Sequence, residues 1–311
     1  MDMLLNILLL VIGFVFLVKG ADIFVDGSAG LAKIFKISPL IIGLTIVACG
    51  TSAPELAVST LSAMRGSSEI AISNIIGSNL FNLLAILGLC SLIHPLKVSN
   101  NIIKRDFPVS IIGSIIVTIV AFFLHVTNRV FGVILILAYI LYVSFMIWQE
   151  RKNPSSMEED AKDMSTPKCI ALILVGLALI IGGGEMVVST AQKIAAGLGV
   201  SETLIGFTIV AIGTSLPELA TSLMATKKKQ VDLAVGNVIG SNIFNLFLIL
   251  GVSSVIQPVS VNQATLADLI ILSVTSILVL LFCIPKQRIN RLCGGIMVAL
   301  YVAVVIFAIY R

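Results

Sequence analysis

The sequence predicts an all-α membrane protein of ten transmembrane helices, arranged as two five-helix repeats of inverted topology. Three observations carry this. The 311 residues are 58% hydrophobic and 12% charged, with a mean hydropathy of +1.11, against about 25% charge in a soluble domain. Apolar runs of about 20 residues, the length that crosses a bilayer as a helix, recur along the whole chain. And the second half repeats the first.

In chain order the runs are 4–31, 38–63, 70–94, 107–125, 130–148, 169–195, 201–226, 232–257, 266–284 and 292–310. The first carries Asp2 and no basic n-region, and more spans follow it, so it reads as an uncleaved helix and not a signal peptide. The only long polar stretch, "ERKNPSSMEEDAKDMSTPK" at 150–168, separates a first repeat (1–149) from a second (169–311). It is a linker; its acidic "MEED" lacks the spacing of a calcium-binding loop.

Loop charge sets the orientation. With the N-terminus outside, the inner loops hold Lys33 and Lys36; Lys97, Lys104 and Arg105; Arg151, Lys152, Lys162 and Lys168; Lys227, Lys228 and Lys229; and Lys286, Arg288 and Arg291. These are fifteen of the twenty basic residues, so the positive-inside rule places both termini outside. The net charge of +4 therefore reports topology and gives no sign of nucleic-acid binding. The five cysteines show neither metal spacing nor a disulfide framework.

The repeat has a fixed offset. Glu55 and Glu218 lie 163 residues apart, as do Asn82 and Asn245, Gly20 and Gly183, Ser38 and Ser201, and Pro95 and Pro258. Between 38 and 95 about half the positions are identical to their counterparts. Five spans per half is an odd number, so the second copy enters the membrane upside down. Transporters built this way place their site near the midplane, between the repeats.

Two blocks recur: "VACGTSAPELAVS" with "VAIGTSLPELATS", and "NIIGSNLFNLLAILG" with "NVIGSNIFNLFLILG". The first puts a carboxylate, Glu55 or Glu218, beside Pro54 or Pro217 within an apolar span. A helical proline removes a backbone bond, which predicts freed carbonyls near Ala48, Gly50 and Thr51, and near Ala211, Gly213 and Thr214. Backbone oxygens in a membrane need a partner, and a hard cation is one. Thr51, Ser52, Thr214 and Ser215 add hydroxyls. Asn82, Asn245, Ser78 and Ser241 add neutral oxygens. An all-oxygen set suits Ca²⁺, which takes six to eight such ligands. No His or Cys recurs in the blocks, which disfavours softer metals. A purely structural kink explains one intramembrane acid more readily than two related ones, each beside Pro and Thr-Ser.

The paired "GTSxPE" and "GSNxFN" blocks resemble the two α-repeats of the sodium/calcium exchangers, within the cation/calcium exchanger superfamily. The resemblance spans nearly the whole chain. It implies ten helices, with the second, third, seventh and eighth around the ions and the first and sixth as long, tilted helices sliding past them. It implies exchange of about three Na⁺ for one Ca²⁺ by alternating access. Carried over residue by residue, the ligands fall on Glu55, Glu218, Thr51, Ser52, Thr214, Ser215, Ser78, Asn82, Ser241 and Asn245, and on the carbonyls of Ala48 and Ala211. The potassium-dependent branch carries Asp where this chain has Asn245, so no K⁺ requirement is expected.

Na⁺ and Ca²⁺ are then transported substrates, with no cofactor and no enzymatic activity. The partners are the lipid bilayer and these ions, and the site is that of a multi-pass protein of the cell membrane. One chain carries both halves, so a monomer suffices for transport; the oligomeric state is left open. Two alternatives stay open at this stage. One is a H⁺/Ca²⁺ antiporter of the same fold, whose branch usually lacks the proline. The other is a cation channel, which normally needs a ring of subunits. Asp22, Asp26 and Glu185 are expected to face water or a loop, and His94 and His125 to sit at span ends.

Overall fold

The computed structural model describes residues 3–152, 164–198 and 211–310. The linker positions 153–163, with "MEED" and Lys162, lie outside the described residues, as do Ser201 and the start of the span expected at 201–226. The helices are α1 (Met3–Phe35), α2 (Pro39–Thr51), α3 (Ala53–Met64), α4 (Glu69–Ile93), α5 (Ile102–Leu124), α6 (Arg129–Glu150) and α7 (Thr166–Gly197). A short turn at Ala211–Gly213 precedes α8 (Leu216–Lys227). Then follow α9 (Val231–Ile256), α10 (Gln263–Cys283) and α11 (Arg291–Tyr310). Among the described residues, eight helices are long and apolar enough to span, and the bent pair α2–α3 makes a ninth.

Inversion is visible in two short strand pairs. Leu96–Lys97 (β1) pairs antiparallel with Arg288–Ile289 (β4), and Val126–Thr127 (β2) with Val259–Ser260 (β3). The first pair ties the α4–α5 connection to the α10–α11 connection. The second ties α5–α6 to α9–α10. α5 therefore runs from the first pair to the second, and α10, its counterpart in the repeat, runs back.

Burial sorts the helices by role. In α4 and α9 about four-fifths of the spanning window is buried (83% and 78%), against 11% in α11. Only such central helices can carry Asn and Ser through a membrane, because their polar groups meet protein and not lipid. α1 and α7 form a second layer. At 33 and 32 residues they would be nearly 50 Å long, well beyond the ~30 Å hydrocarbon core, so they must tilt. Gly13 and Gly20 of α1 meet Gly183 and Gly176 of α7 so closely that a methyl group on Gly20 would stand 2.8 Å from Gly176 O. Small residues permit that approach of membrane helices. A methyl on Gly240 would likewise stand 2.7 Å from the Leu44 backbone, and one on Gly236 2.8 Å from Leu40 O. This is how α9 of the second repeat is pressed onto α2 of the first.

Adjacent glycines on α11 give a controlled test. A methyl at Gly294 would overlap the Ser91 hydroxyl and lie 2.7 Å from Gly88 O, whereas one at Gly295 meets nothing within 4 Å. Gly294→Ala is expected to cost about 1–3 kcal/mol through overpacking, and Gly295→Ala to be neutral or stabilising by up to about 1 kcal/mol. Thermal unfolding in detergent checks this; equal effects would mean that α11 does not pack on α4 as described.

Candidate ion-binding site

The site forms where the bent pair α2–α3 meets the start of α8. α2 and α3 are bent by 49° across Ser52, whose φ and ψ of −83° and 11° leave the helix. Ser215, before α8, repeats this at −92° and 7°. Pro54 and Pro217 fall in the first turns of α3 and α8, where a missing N–H costs nothing. Glu55 and Glu218 occupy those same first turns. The positive helix ends therefore lie beside the carboxylates.

The carbonyls are less free than expected from the prolines. α2 continues through Thr51, so Ala48 O still accepts the Ser52 N–H at 3.0 Å; in the second half the Ser215 N–H tightens onto Ile212 O at 3.1 Å. Ala48 O also accepts from Thr51 Oγ1 at 3.4 Å, and Ala211 opens the short turn before Ser215.

Glu55 and Glu218 are fully buried. Each is held from both repeats. Glu55 Oε1 accepts from Ser215 at 2.9 Å and from Ser78 at 3.2 Å. Glu218 Oε1 accepts from Ser52 at 2.6 Å and from Ser241 at 3.5 Å. Oε2 of each carboxylate is buried with no hydrogen-bond partner. Among the described residues, no Lys or Arg forms an ion pair with either.

Asn82 and Asn245 are the second residues of π-helical turns in α4 (Phe81–Ile86) and in α9 (Phe244–Ile249), a feature often found at functional positions. Their amides are oriented by a second asparagine pair. Asn79 Nδ2 donates to Asn242 O at 3.3 Å, and Asn242 Nδ2 to Asn79 O at 3.2 Å. This leaves Oδ1 of each as an acceptor. Asn82 Nδ2 then donates to Asn242 Oδ1 at 3.1 Å, and Asn245 Nδ2 to Asn79 Oδ1 at 3.0 Å. Asn82 Oδ1 and Asn245 Oδ1 remain buried and unpartnered. Four oxygens thus lack partners at this level of the molecule, two of them on carboxylates. Each such group ordinarily costs about 1–3 kcal/mol, more when charged.

Of the hydroxyls, Ser52, Ser215, Ser78 and Ser241 are drawn together here. Thr51 Oγ1 turns to Val47 O and Asn237 Oδ1, both at 3.1 Å, and Thr214 Oγ1 approaches Asn74 Oδ1 at 3.4 Å. Asn74 and Asn237 are themselves struts: they donate to Ser59 Oγ at 3.0 Å and to Ser222 Oγ at 2.9 Å, tying α4 to α3 and α9 to α8. Sequence reasoning did not single out Asn74, Asn79, Asn237 and Asn242. The signal was present, since all four recur at the 163-residue offset inside the "NxIGSN" blocks. Among the described residues, no three His, Cys, Asp or Glu side chains cluster as metal ligands.

A cavity of about 550 Å³ adjoins the first turns of α3 and α8. It is bounded by Pro54 and Ala57 of α3, Glu185 and Val188 of α7, and Thr214 and Pro217. His94 and His125 lie at helix ends, away from the site.

A family model described as "Sodium/calcium exchanger protein" matches residues 5–148 and 168–310. The chain belongs to the sodium/calcium exchanger family. Membership makes it a multi-pass membrane transporter that exchanges cations, Ca²⁺ among them, and not an enzyme. The "Putative antiporter CaxA" of Alkalimonas amylolytica is 36% identical over 96% of this chain and 97% of its own length. "Sodium/calcium exchanger MaX1" of Methanosarcina acetivorans is 32% identical over 98% and 99%. A solved structure of the sodium-calcium exchanger NCX_Mj, soaked without Na⁺ and Ca²⁺, superposes on the exchanger with a TM-score of 0.86, 32% identity and complete coverage of both chains.

If the buried carboxylates are uncompensated in the cation-free protein, Glu55→Gln and Glu218→Gln each raise its melting temperature in choline buffer. A lower melting temperature would show that their charge is already balanced from within.

Proposed function

We propose that the exchanger moves Na⁺ against Ca²⁺ across the cell membrane by alternating access, three Na⁺ for each Ca²⁺ and without K⁺. One observation carries this reading. Two carboxylate and two amide oxygens, contributed in pairs by the two repeats, are buried and without partners, on residues joined through the hydroxyls of Ser215 and Ser78 in one half of the site and of Ser52 in the other. A hard divalent cation satisfies that set. The proposed ligands are Glu55 and Glu218 by charge, and Asn82 and Asn245 by their amide oxygens. Ser52, Ser78, Ser215, Ser241, Thr51 and Thr214 contribute by hydroxyl, and Ala48 and Ala211 by carbonyl. The names of the relatives support sodium as the counter-ion, and so do the hydroxyls, which can ligate Na⁺.

In this reading residues 1–149 and 169–311 are the inverted halves, 150–168 is the cytoplasmic linker, both termini are outside, and one chain in the bilayer suffices. Charge sets the electrical behaviour. The site carries about −2, which one Ca²⁺ neutralises and three Na⁺ overcompensate by one. Each cycle then moves one net charge, worth about 2.3 kcal/mol per 100 mV. Asn245 contributes no carboxylate, and this supports independence from K⁺.

Uptake of radiolabelled Ca²⁺ into proteoliposomes tests the proposal. A Na⁺ gradient should drive it, an imposed potential should change its rate, and K⁺ should be dispensable. Uptake driven only by a pH gradient would assign the H⁺-coupled alternative, and flux indifferent to voltage would refute the three-for-one scheme. Asn79→Ala and Asn242→Ala, which release the amides of Asn245 and Asn82, should weaken Ca²⁺ binding by about 10–100-fold, the usual cost of losing an outer partner of a metal ligand. Unchanged affinity in a calorimetric titration would remove the amide oxygens from the ligand set.

A further inference from the structure

The two faces of the molecule differ at one pair of corners that the repeat makes equivalent. The turn after α3 and the turn after α8 have the same backbone. Arg65 and Lys228 sit at matching positions, with φ and ψ of −85° and 1°, and −80° and 4°. The next residues, Gly66 and Lys229, are both left-handed, at φ 77° and 64°. The hydrogen bonds repeat as well: Ser67 N to Ser62 O at 2.9 Å, and Gln230 N to Ala225 O at 2.8 Å. Each corner therefore holds a cation at the same point of the repeat, and the helix that Lys228 meets, α1, has α7 as its counterpart.

What the cation finds there differs. Lys228 Nζ reaches Asp22 at 2.7 Å and Asp26 at 2.5 Å, and also donates to Asp22 O at 2.7 Å. The counterpart of Asp22 at the 163-residue offset is Glu185, which lines the cavity. Neither Glu185 nor Arg65 takes part in an ion pair among the described residues.

Burial follows the same division. α1 packs along α8, and Ala21, Val25 and Ala29 are buried. Their counterparts Gly184, Val188 and Gln192 line the cavity. Thr221, the counterpart of cavity-lining Val58, is fully buried and its hydroxyl has no partner. That cost disappears if the seam between α1 and α8 admits water.

We propose that these are alternating latches. Lys228 with Asp22 and Asp26 fastens α1 over the site on one face. Arg65 with Glu185 fastens α7 over it on the other, and the two latches are never closed together. In the described conformation the Lys228 latch is closed and the cavity beside Glu185 is open. Exchanging the conformations of the two repeats opens the first latch and closes the second. The latches are unequal, because Ser189 stands where the second acid, Asp26, has its counterpart. The resting protein therefore favours the state with the Lys228 latch closed.

The proposal rests on alternating access but not on the identity of the ions. Crosslinking tests it without any ion flux, so its failure is separable from failure of the transport assay. In reconstituted full-length protein carrying Arg65→Cys with Glu185→Cys, a short bis-maleimide, each end of which adds one thiol across its alkene, should trap the rarer state slowly, giving a product absent from controls that carry only one of the two introduced cysteines beside the five native ones. Adding Lys228→Met should speed trapping by about threefold or more, the order expected from losing partly exposed ion pairs. Lys228→Arg should leave the rate unchanged. If Lys228→Met does not fold, Asp22→Asn with Asp26→Asn carries the same expectation. Absence of the 65–185 product in every background, or a rate indifferent to loss of the Lys228 latch, would overturn the proposal.

Discussion

The structure depends on a crossed attachment: each buried glutamate takes a hydroxyl from the opposite repeat. Ser215 serves Glu55, and Ser52 serves Glu218. Only one oxygen of each carboxylate is used in this way. The other is left bare, in a protein interior where an unpaired charge is among the most expensive groups to hold. On the proposed reading an ion, arriving and leaving, is the missing partner. It also couples the repeats, because any ion held by both glutamates is held by both halves at once.

Most of the remaining architecture supplies what this centre needs. α4 and α9 give it a protein-lined environment, so that its Asn and Ser side chains do not face lipid. The break at Ser52 and the helix start after Ser215 set helix N-termini beside the acids. The Asn79–Asn242 pair holds the amides of Asn245 and Asn82 by their nitrogens, which on the proposed reading spares the ion the cost of ordering these ligands. Glycine contacts bring α9 against α2 and α1 against α7 closely enough to build this from one chain. The π-turns at Asn82 and Asn245 recur in both halves, which makes them part of the design of each repeat and not an accident of one.

The fold was largely legible because its signals are chemical and repeated. Apolar runs of spanning length, a basic bias in alternate loops and a constant 163-residue offset are all present in the letters. Glu55 and Glu218 stood out for the same reason: acids are rare where everything else is apolar. The supporting shell was harder to read. Asn79 and Asn242 act through a contact between residues 163 positions apart, and nothing local says that one amide will orient another. The persistence of the Ala48 carbonyl bond was also hidden, since the proline fixes that a break occurs but not at which residue the helix stops. The pairing of Lys228 with Asp22 and Asp26 spans more than 200 positions. Acids expected simply to meet water or a loop are engaged in an ion pair on one side and line a cavity on the other.

The central claim is that one divalent cation bridges the bare oxygens of Glu55 and Glu218. Crystals of this protein grown in Ca²⁺ without Na⁺ test it most directly, through the anomalous signal of the bound ion. The account predicts one Ca²⁺ peak within about 2.3–2.6 Å of both carboxylates, with the amide oxygens of Asn82 and Asn245 turned toward it. A peak confined to the cavity near Glu185, or a pair of glutamates that stay bare at saturating Ca²⁺, would contradict it.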